Sequence, residues 1–438
     1  MNKFLFFILM AVTNNSFAAK LDISSENNFS IKSFENLINQ NKNYNLSYYN
    51  LNSQFSFALK NITLEETDNS WMDASVGFKY FSIDSSSRTI NSLYIKEFNQ
   101  FYQNDNPYYF FVDKAYIKVY NFIYNDIVAT FGRQPYTLSM GNVLSDNSKG
   151  LNGVRLEFLN KLKMDSIDFL YFRENNPYSE ENISENIYGV SLNKSFGDGL
   201  WNLYYIANSN NGKTKDISFD SNKTDKKFSG ISYLINSENI SYTSEFSLEK
   251  GNSKDIGGKN INHNAYSLSI NATWKMEIPK FGNSNARFVY LKSSGNPNST
   301  FTENKAFYSP YSKRFNGYER IGVGEIYRAS IFDTSKTSDT LNGLPDGLSG
   351  ITTVGFGADL IKGKRTISLD YFGYKATQAF NSDSGQSLGT EFDIKYSFDM
   401  GEKLNFYLVY ATFSPKSGIK KPDIKSTKLF SLNIKARF

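Results

Sequence analysis

The chain has 438 residues, with 48 Lys+Arg against 43 Asp+Glu for a formal net charge of +5, no cysteine and one histidine, His263. That charge is too weak to imply a nucleic-acid partner. Without thiols there are no disulfides, and one imidazole leaves most metal ligands and triad bases missing, so neither a cofactor nor an enzymatic activity is expected.

Residues 1–18 open on Lys3, continue through the apolar run Phe4–Val12 and finish in Ser16-Phe17-Ala18. This is the pattern of a signal peptide with a small-x-small cleavage site, too short to span a bilayer as a helix. Its removal takes one charge, Lys3, and leaves +4 of the +5. Residues 19–42 are polar and read as a periplasmic lead-in with a short helix around Ser33–Leu37.

From residue 43 to 438 the chain alternates with a period of two. The predicted strands are 44–59, 71–82, 88–97, 109–120, 126–134, 151–159, 164–173, 186–195, 199–208, 226–236, 239–249, 264–276, 284–293, 351–361, 364–375, 386–398, 402–412 and 426–438. Each is long enough to cross hydrocarbon as a tilted strand. Short turns such as Gly197-Asp198, Lys362-Gly363 and Met400-Gly401 alternate with long polar loops, the arrangement of periplasmic turns and outer loops. Aromatic residues make up 16% of the chain although mean hydropathy is −0.46. A membrane barrel reconciles these numbers, since every second strand residue faces lipid and aromatic girdles mark both interfaces. The fold class is therefore an all-β transmembrane antiparallel β-barrel of about eighteen strands, with sixteen as the alternative. Counting back from a periplasmic C-terminus, Arg88–Glu97 is the strand needed to keep the total even.

The phase of each strand selects the lumen residues. Val154, Leu156 and Phe158 facing lipid turn Arg155 and Glu157 inward, and Ile240, Tyr242, Phe246 and Leu248 do the same for Glu245. By the same alternation Asp359, Asp370, Glu391, Asp393, Lys395, Lys435 and Arg437 line the lumen. Arg or Lys at mid-depth on the lipid side would cost about 2–4 kcal/mol. Asp370, Glu391 and Asp393 suggest a cation-friendly side, opposed by a basic one of Arg133, Arg155 and Lys435. Glu391 and Asp393, two apart on a strand and so about 6–7 Å apart, could serve a glycosidase, but the same spacing is ordinary for a lumen wall.

The segment 294–350 differs from the Asn/Ser-rich loops. Its middle, 306–331, interleaves Phe307, Tyr308, Tyr311, Phe315, Tyr318 and Tyr327 with Lys313, Arg314, Glu319, Arg320 and Glu325. A loop this long is functional or disordered, and its aromatic content makes it a candidate pore-constricting loop, with Arg314, Tyr318, Glu319 and Arg320 as its named residues.

The run Phe131-Gly132-Arg133-Gln134, followed by Leu138, Gly141, Asn142 and Gly150–Glu157, resembles the Gly-Arg-Gln strand and loop of alginate-export-type porins and related large outer-membrane porins. Leu388-Gly389-Thr390-Glu391-Phe392-Asp393 and Ala411-Thr412-Phe413-Ser414-Pro415 resemble the same family's Gly-Thr-Glu-x-Asp strand and Phe-x-Pro exit. The resemblance implies an eighteen-stranded barrel and, for Arg133 and Arg155, a place on an anionic path. Arg133 shares the phase of Phe131, so an inward aim requires a bulge or a position above the lipid.

The expected function is passive diffusion of small hydrophilic or charged solutes across a bacterial outer membrane. The alternatives are export of an acidic polysaccharide and a surface-binding or structural barrel. Expected partners are outer-membrane lipid and lipopolysaccharide, the barrel assembly machinery, and the solute or polysaccharide. The terminal Phe438 resembles the signal that the assembly machinery reads. Phe438→Ser is expected to lower the yield of heat-modifiable barrel while leaving the conductance of the assembled fraction unchanged; normal yield would count against that role.

Overall fold

The computed structural model describes residues 19–39, 42–65, 70–85, 108–175, 184–210, 214–216, 219–255, 258–279, 282–297, 302–331, 333, 344–345, 347–379, 386–419 and 424–438. The signal segment 1–18 and the predicted strand 88–97 lie outside them. The described residues form one sheet of twenty strands. In chain order these are β1 Lys20–Asn39, β2 Lys42–Glu65, β3 Ser70–Ser85, β4 Tyr108–Tyr120, β5 Ile127–Gln134, β6 Leu151–Leu159, β7 Ser166–Asn175, β8 Ser184–Phe196, β9 Gly199–Asn210 and β10 Thr214–Asp216. They continue as β11 Phe219–Asn236, β12 Ile240–Asp255, β13 Asn260–Ile278, β14 Gly282–Ser293, β15 Glu303–Asn304, β16 Leu348–Lys362, β17 Arg365–Ala379, β18 Ser387–Met400, β19 Leu404–Pro415 and β20 Thr427–Arg437.

Eighteen are long staves that pair antiparallel with their neighbours. The three-residue β10 extends the hairpin of β11, and the two-residue β15 pairs in parallel with β13 outside the ring of staves. The ring closes where β1 pairs with β20, from Glu26↔Arg437 to Glu35↔Lys428. At the end that carries both termini, Ser25 and Phe438 exchange two backbone hydrogen bonds of 2.9 Å.

The total matches expectation, but one stave differs. Residues 20–39 are the first stave, not a lead-in, and the helix expected at 33–37 is instead a β-bulge between Phe34 and Leu37, with Asn36 at φ 56°. β3 pairs directly with β4, from Trp71↔Tyr120 to Ser82↔Tyr108, so the even count is completed by β1. The alternation of β1 is muted in sequence because Ser25, Asn27 and Ser33 share the outward phase of Leu21, Ile23, Phe29 and Ile31. The inward set is plain: Ser30, Lys32 and Phe34 are buried.

The outside of the barrel is apolar. Phe55, Phe57, Tyr171, Leu203, Phe246, Leu248, Leu369, Tyr371, Leu408 and Phe430 all stand exposed on it. Buried apolar residues of the inner side and of the segments 135–150 and 302–331 pack together as two clusters. Lipid supplies no partner for an open sheet edge, so a closed ring with an oily exterior is the arrangement that satisfies both backbone and side chains. Deleting residues 19–39 is expected to abolish the heat-modifiable barrel on refolding into detergent, whereas removal of a mere lead-in would leave it intact.

Candidate functional site

The site is the lumen where segments 135–150 and 302–331 meet the wall. The two segments are knitted together: the Lys313 N–H donates to the Gly141 carbonyl and the Ser145 N–H to the Tyr311 carbonyl, both at 2.8 Å. Asn147 Oδ1 accepts from the N–H groups of Arg314 and Phe315 at 2.6 and 2.9 Å. The Ser309 and Ser312 hydroxyls reach the carbonyls of Val143 and Asn142 at 2.5 Å each.

Three groups of wall residues hold this assembly. On β18, Glu391 accepts from the N–H groups of Glu325 and Ile326 at 2.6 Å each and of Tyr327 at 3.0 Å. Those donors converge because Val323 and Ala329 exchange both backbone hydrogen bonds, closing a tight turn between them. Gly324, at φ +85°, is required there: a Cβ would fall 2.2 Å from the Tyr374 hydroxyl and 2.7 Å from Glu391 Oε2. Asp393, fully buried, takes a further bond from the Glu325 N–H at 3.2 Å. Tyr327 packs between Tyr374 and Phe413, at 4.6 and 5.5 Å between ring centroids. Both carboxylates of the Glu391–Asp393 pair thus accept from loop backbone.

Three staves further round the ring, Lys32 of β1 binds Glu319 at 2.9 Å, and Asn50 of β2 donates to the same carboxylate at 2.5 Å. The Tyr318 hydroxyl donates to the Ser53 carbonyl at 2.8 Å, while its ring stacks on Phe81. Burial works to raise the Glu319 carboxyl, but the charges of Lys32 and Arg328 outweigh it and hold the group below its ordinary value. Glu325 is held down in the same way, chiefly by Lys395 and Arg328 against the effect of burial.

The third group is on β11 to β13. Glu249 accepts from the Tyr308 N–H at 2.7 Å and pairs with Lys226 at 3.1 Å. His263 lies beside it, its Nε2 2.8 Å from the Ser253 hydroxyl, so the one imidazole is a buried wall residue. Glu245, also buried, accepts from the Met140 N–H at 2.8 Å and the Tyr204 hydroxyl at 2.6 Å.

The other predicted residues fall into place around these anchors. Arg155 reaches Asp168 and Glu157 at 3.1 and 3.3 Å and lies 5.3 Å from the Tyr136 ring. Asp359 and Asp370 share Arg287, at 2.9 and 2.8 Å, and Lys395 bridges Glu325 at 2.6 Å and Asp370 at 3.7 Å. Lys435 and Arg437 both bind Glu26 across the closing seam, at 2.6 and 3.0 Å. Arg314 and Arg320 turn into the loop itself, against Asp333, and fix its shape. Arg133 stays in the unbroken register of Phe131 and donates through Nε to the Lys149 carbonyl at 2.7 Å, so it is held by the end of segment 135–150. The expected division into an acidic and a basic side is absent, because Arg155 sits between two carboxylates.

Sequence reasoning missed Lys32, Arg287, Lys226 and Glu249. Arg287 was legible, flanked by Ala286 and Phe288 on the outward phase. Lys32 was hidden in the segment read as a lead-in.

No family model matches the chain, and no curated protein sequence does. Solved structures do. OccAB4 of Acinetobacter baumannii is similar over 97% of this chain and 100% of its own, with a TM-score of 0.56 and 11% identity. OccK5 (OpdH) of Pseudomonas aeruginosa covers 95% and 98% at a TM-score of 0.54 and 9% identity. OpdK of Pseudomonas aeruginosa, solved with vanillate, covers 95% and 98% at 0.55 and 9%. The fold is that of a large outer-membrane porin. These neighbours do not support the alginate-export branch expected from sequence, whose motifs were short runs of the kind that many lumen strands share.

Two outcomes follow from the anchors. Glu391→Ala leaves the N–H groups of Ile326 and Tyr327 without their acceptor and that of Glu325 with Asp393 alone, at about 1–3 kcal/mol for each one kept from water. Single-channel recordings should then show a noisier, larger conductance from a barrel of unchanged heat-modifiability. The lowered Glu319 and Glu325 carboxyls stabilise the docked loop fully above the ordinary glutamate value of 4.5 and lose that contribution as pH falls through their lower values. The part of the docking that these two carboxylates supply is therefore expected to be lost, with a rise in conductance, only below about pH 4.5.

Proposed function

We propose that the protein is a bacterial outer-membrane channel through which small hydrophilic solutes diffuse passively. One observation carries the reading: the loop 302–331 is fastened to opposite sectors of the wall, by the Tyr308 N–H to Glu249 of β12 and by Glu319 to Lys32 of β1, eight staves further round the ring. Such a bridge across an eighteen-stave lumen leaves a restricted aqueous route rather than a wide pore. Charged side chains remain partly open beside it: Arg287 at 29%, Lys395 at 30% and Glu325 at 27% of full exposure. Fixed charges at a constriction sort small solutes by charge and hydrogen bonding.

The vanillate held by one structural neighbour is a small solute of the kind such a route admits. Export of a polysaccharide would require the knitted loops to leave the lumen, against all three groups of anchors. Refolded protein in planar bilayers should give discrete ohmic steps, and deletion of residues 306–331 should enlarge them. A silent barrel, or steps unchanged by the deletion, would sink the reading. Selective block by an acidic oligosaccharide would favour polymer export instead.

A further inference from the structure

Inner-wall charges such as Arg155, Glu245, Arg287 and Glu391 have ion-pair or hydrogen-bond partners, whereas one stretch of the outer face carries lysines that none of the described ion pairs engages. β11, β12 and β13 continue past the apolar belt at the end of the barrel opposite the termini. On their outward phase Ile231, Phe246 and Leu248 are exposed, and one step further Lys227 and Lys250 stand directly opposite each other in register. Their inward neighbours, Lys226, Phe228 and Glu249, are buried, so the sidedness is clear. Lys254 follows on the same face, four residues and about 13 Å beyond Lys250. On β14, Lys292 lies over the ring of Tyr266 at 6.0 Å, and that ring contacts lipid-facing Phe246 at 6.5 Å.

Like charges directly opposite across a sheet are destabilising, and none of the described ion pairs engages Lys227, Lys250 or Lys254. Among the described residues, the carboxylate on this stretch of the face is Asp225, opposite Asn252. Exposed asparagines flank the lysines: Asn264 is in register with Lys250 and Asn260 with Lys254. The patch thus combines unneutralised cations and amide donors on a surface continuous with the lipid-facing belt. An anion held there must sit at the level where hydrocarbon gives way to headgroups.

We propose that Lys227, Lys250 and Lys254, with Lys292 beside them, bind the phosphate groups of a phosphorylated glycolipid in the outer leaflet. The assignment rests on the outer-membrane reading above. Commitment to lipid rather than a soluble anion follows from position. Leu248 and Lys250 are two residues apart on one face, about 7 Å along the strand. A ligand with acyl chains and phosphates would therefore meet apolar and cationic groups in the right order, whereas a soluble anion would gain nothing from the belt. Juxtaposed lysines at a membrane surface each attract anionic headgroups, and the lipid in turn screens the Lys227–Lys250 repulsion.

The test compares bis-phosphorylated lipid A with the same lipid stripped of phosphate, bound to the purified full barrel in neutral detergent and followed by native mass spectrometry. The phosphorylated form should bind about tenfold tighter or better, and Lys227→Gln/Lys250→Gln/Lys254→Gln should erase that preference. Equal binding of the two lipids, or a triple variant that keeps the preference, overturns the proposal. Inorganic phosphate at matched concentration should not displace the lipid; if it does, the lysines hold a free anion and the lipid assignment fails. Heat-modifiability reports whether the variant folds, and a Lys→Glu triple variant, which should repel the phosphorylated form, repeats the test with opposite sign. Bilayer conductance of the same samples separates the two readings, because lipid preference with a silent channel refutes the channel alone.

Discussion

Hydrocarbon offers no partner to an unpaired N–H or C=O, at several kcal/mol for each group left open, and this constraint orders the whole molecule. It forces the ring to close, and closure requires β1 to lie between β20 and β2. The seam is reinforced by ion pairs of Glu26 with Lys435 and Arg437, and of Glu35 with Lys428 at 3.0 Å. Such pairs at exposed ends contribute little by themselves, so the backbone ladder bears the load and the charges select its register. Closure has a second effect inside. The strand that seals the barrel also brings Lys32 to the lumen, where it grips Glu319 of the inserted loop.

The inserted loop is held by two kinds of contact with different physical roles. Aromatic packing, as of Tyr327 against Tyr374 and Phe413, adds apolar burial, which is less directional than a hydrogen bond. The carboxylates accept such bonds. Glu391 fits one turn of backbone with three converging N–H groups, and any shift would leave a buried charge without its donors. Polar anchors of this kind set position rather than add much stability, because each buried charge must first be stripped of water. Aromatic mass and carboxylate geometry together give a loop with one seat.

Much of this was legible because a lipid-exposed strand has little freedom. Outward positions must be apolar at mid-depth, so the phases of Arg155, Glu245, Asp359, Asp370, Glu391 and Asp393 were readable from their neighbours, and all six are on the inner side. The strands that misled were those where the rule relaxes. β1 carries Ser25, Asn27 and Ser33 on its outward phase, so its alternation fell below notice, and an alternating stretch at 88–97 took its place in the count. Partners were less legible than phases. That Asp370 faces inward follows from one strand; that it meets Arg287 of β14 depends on the register of the β16 stave lying between their strands. The aromatic middle of 294–350 pointed to packing, yet the roles of Arg314 and Arg320 depended on the loop turning back upon Asp333, which no periodicity encodes.

Net charge is a poor guide to the field a solute meets inside such a barrel. The chain as a whole is basic, at +5. In the lumen, Arg155 is flanked by Glu157 and Asp168, while Arg287 and Lys395 are shared among Asp359, Asp370 and Glu325. Both groups hold one more carboxylate than cation. Between low-dielectric walls, charges a few ångströms apart dominate those on the far exterior, which water and salt screen within about 10 Å. The lysines that make the chain basic, such as Lys227, Lys250 and Lys254, stand on the outer face and contribute little within. Interior and exterior are therefore electrically separate surfaces on one sheet, divided by the period of two that first revealed the strands. An arginine in the lumen, read alone as a basic step, belongs to a locally acidic group once its register partners are counted.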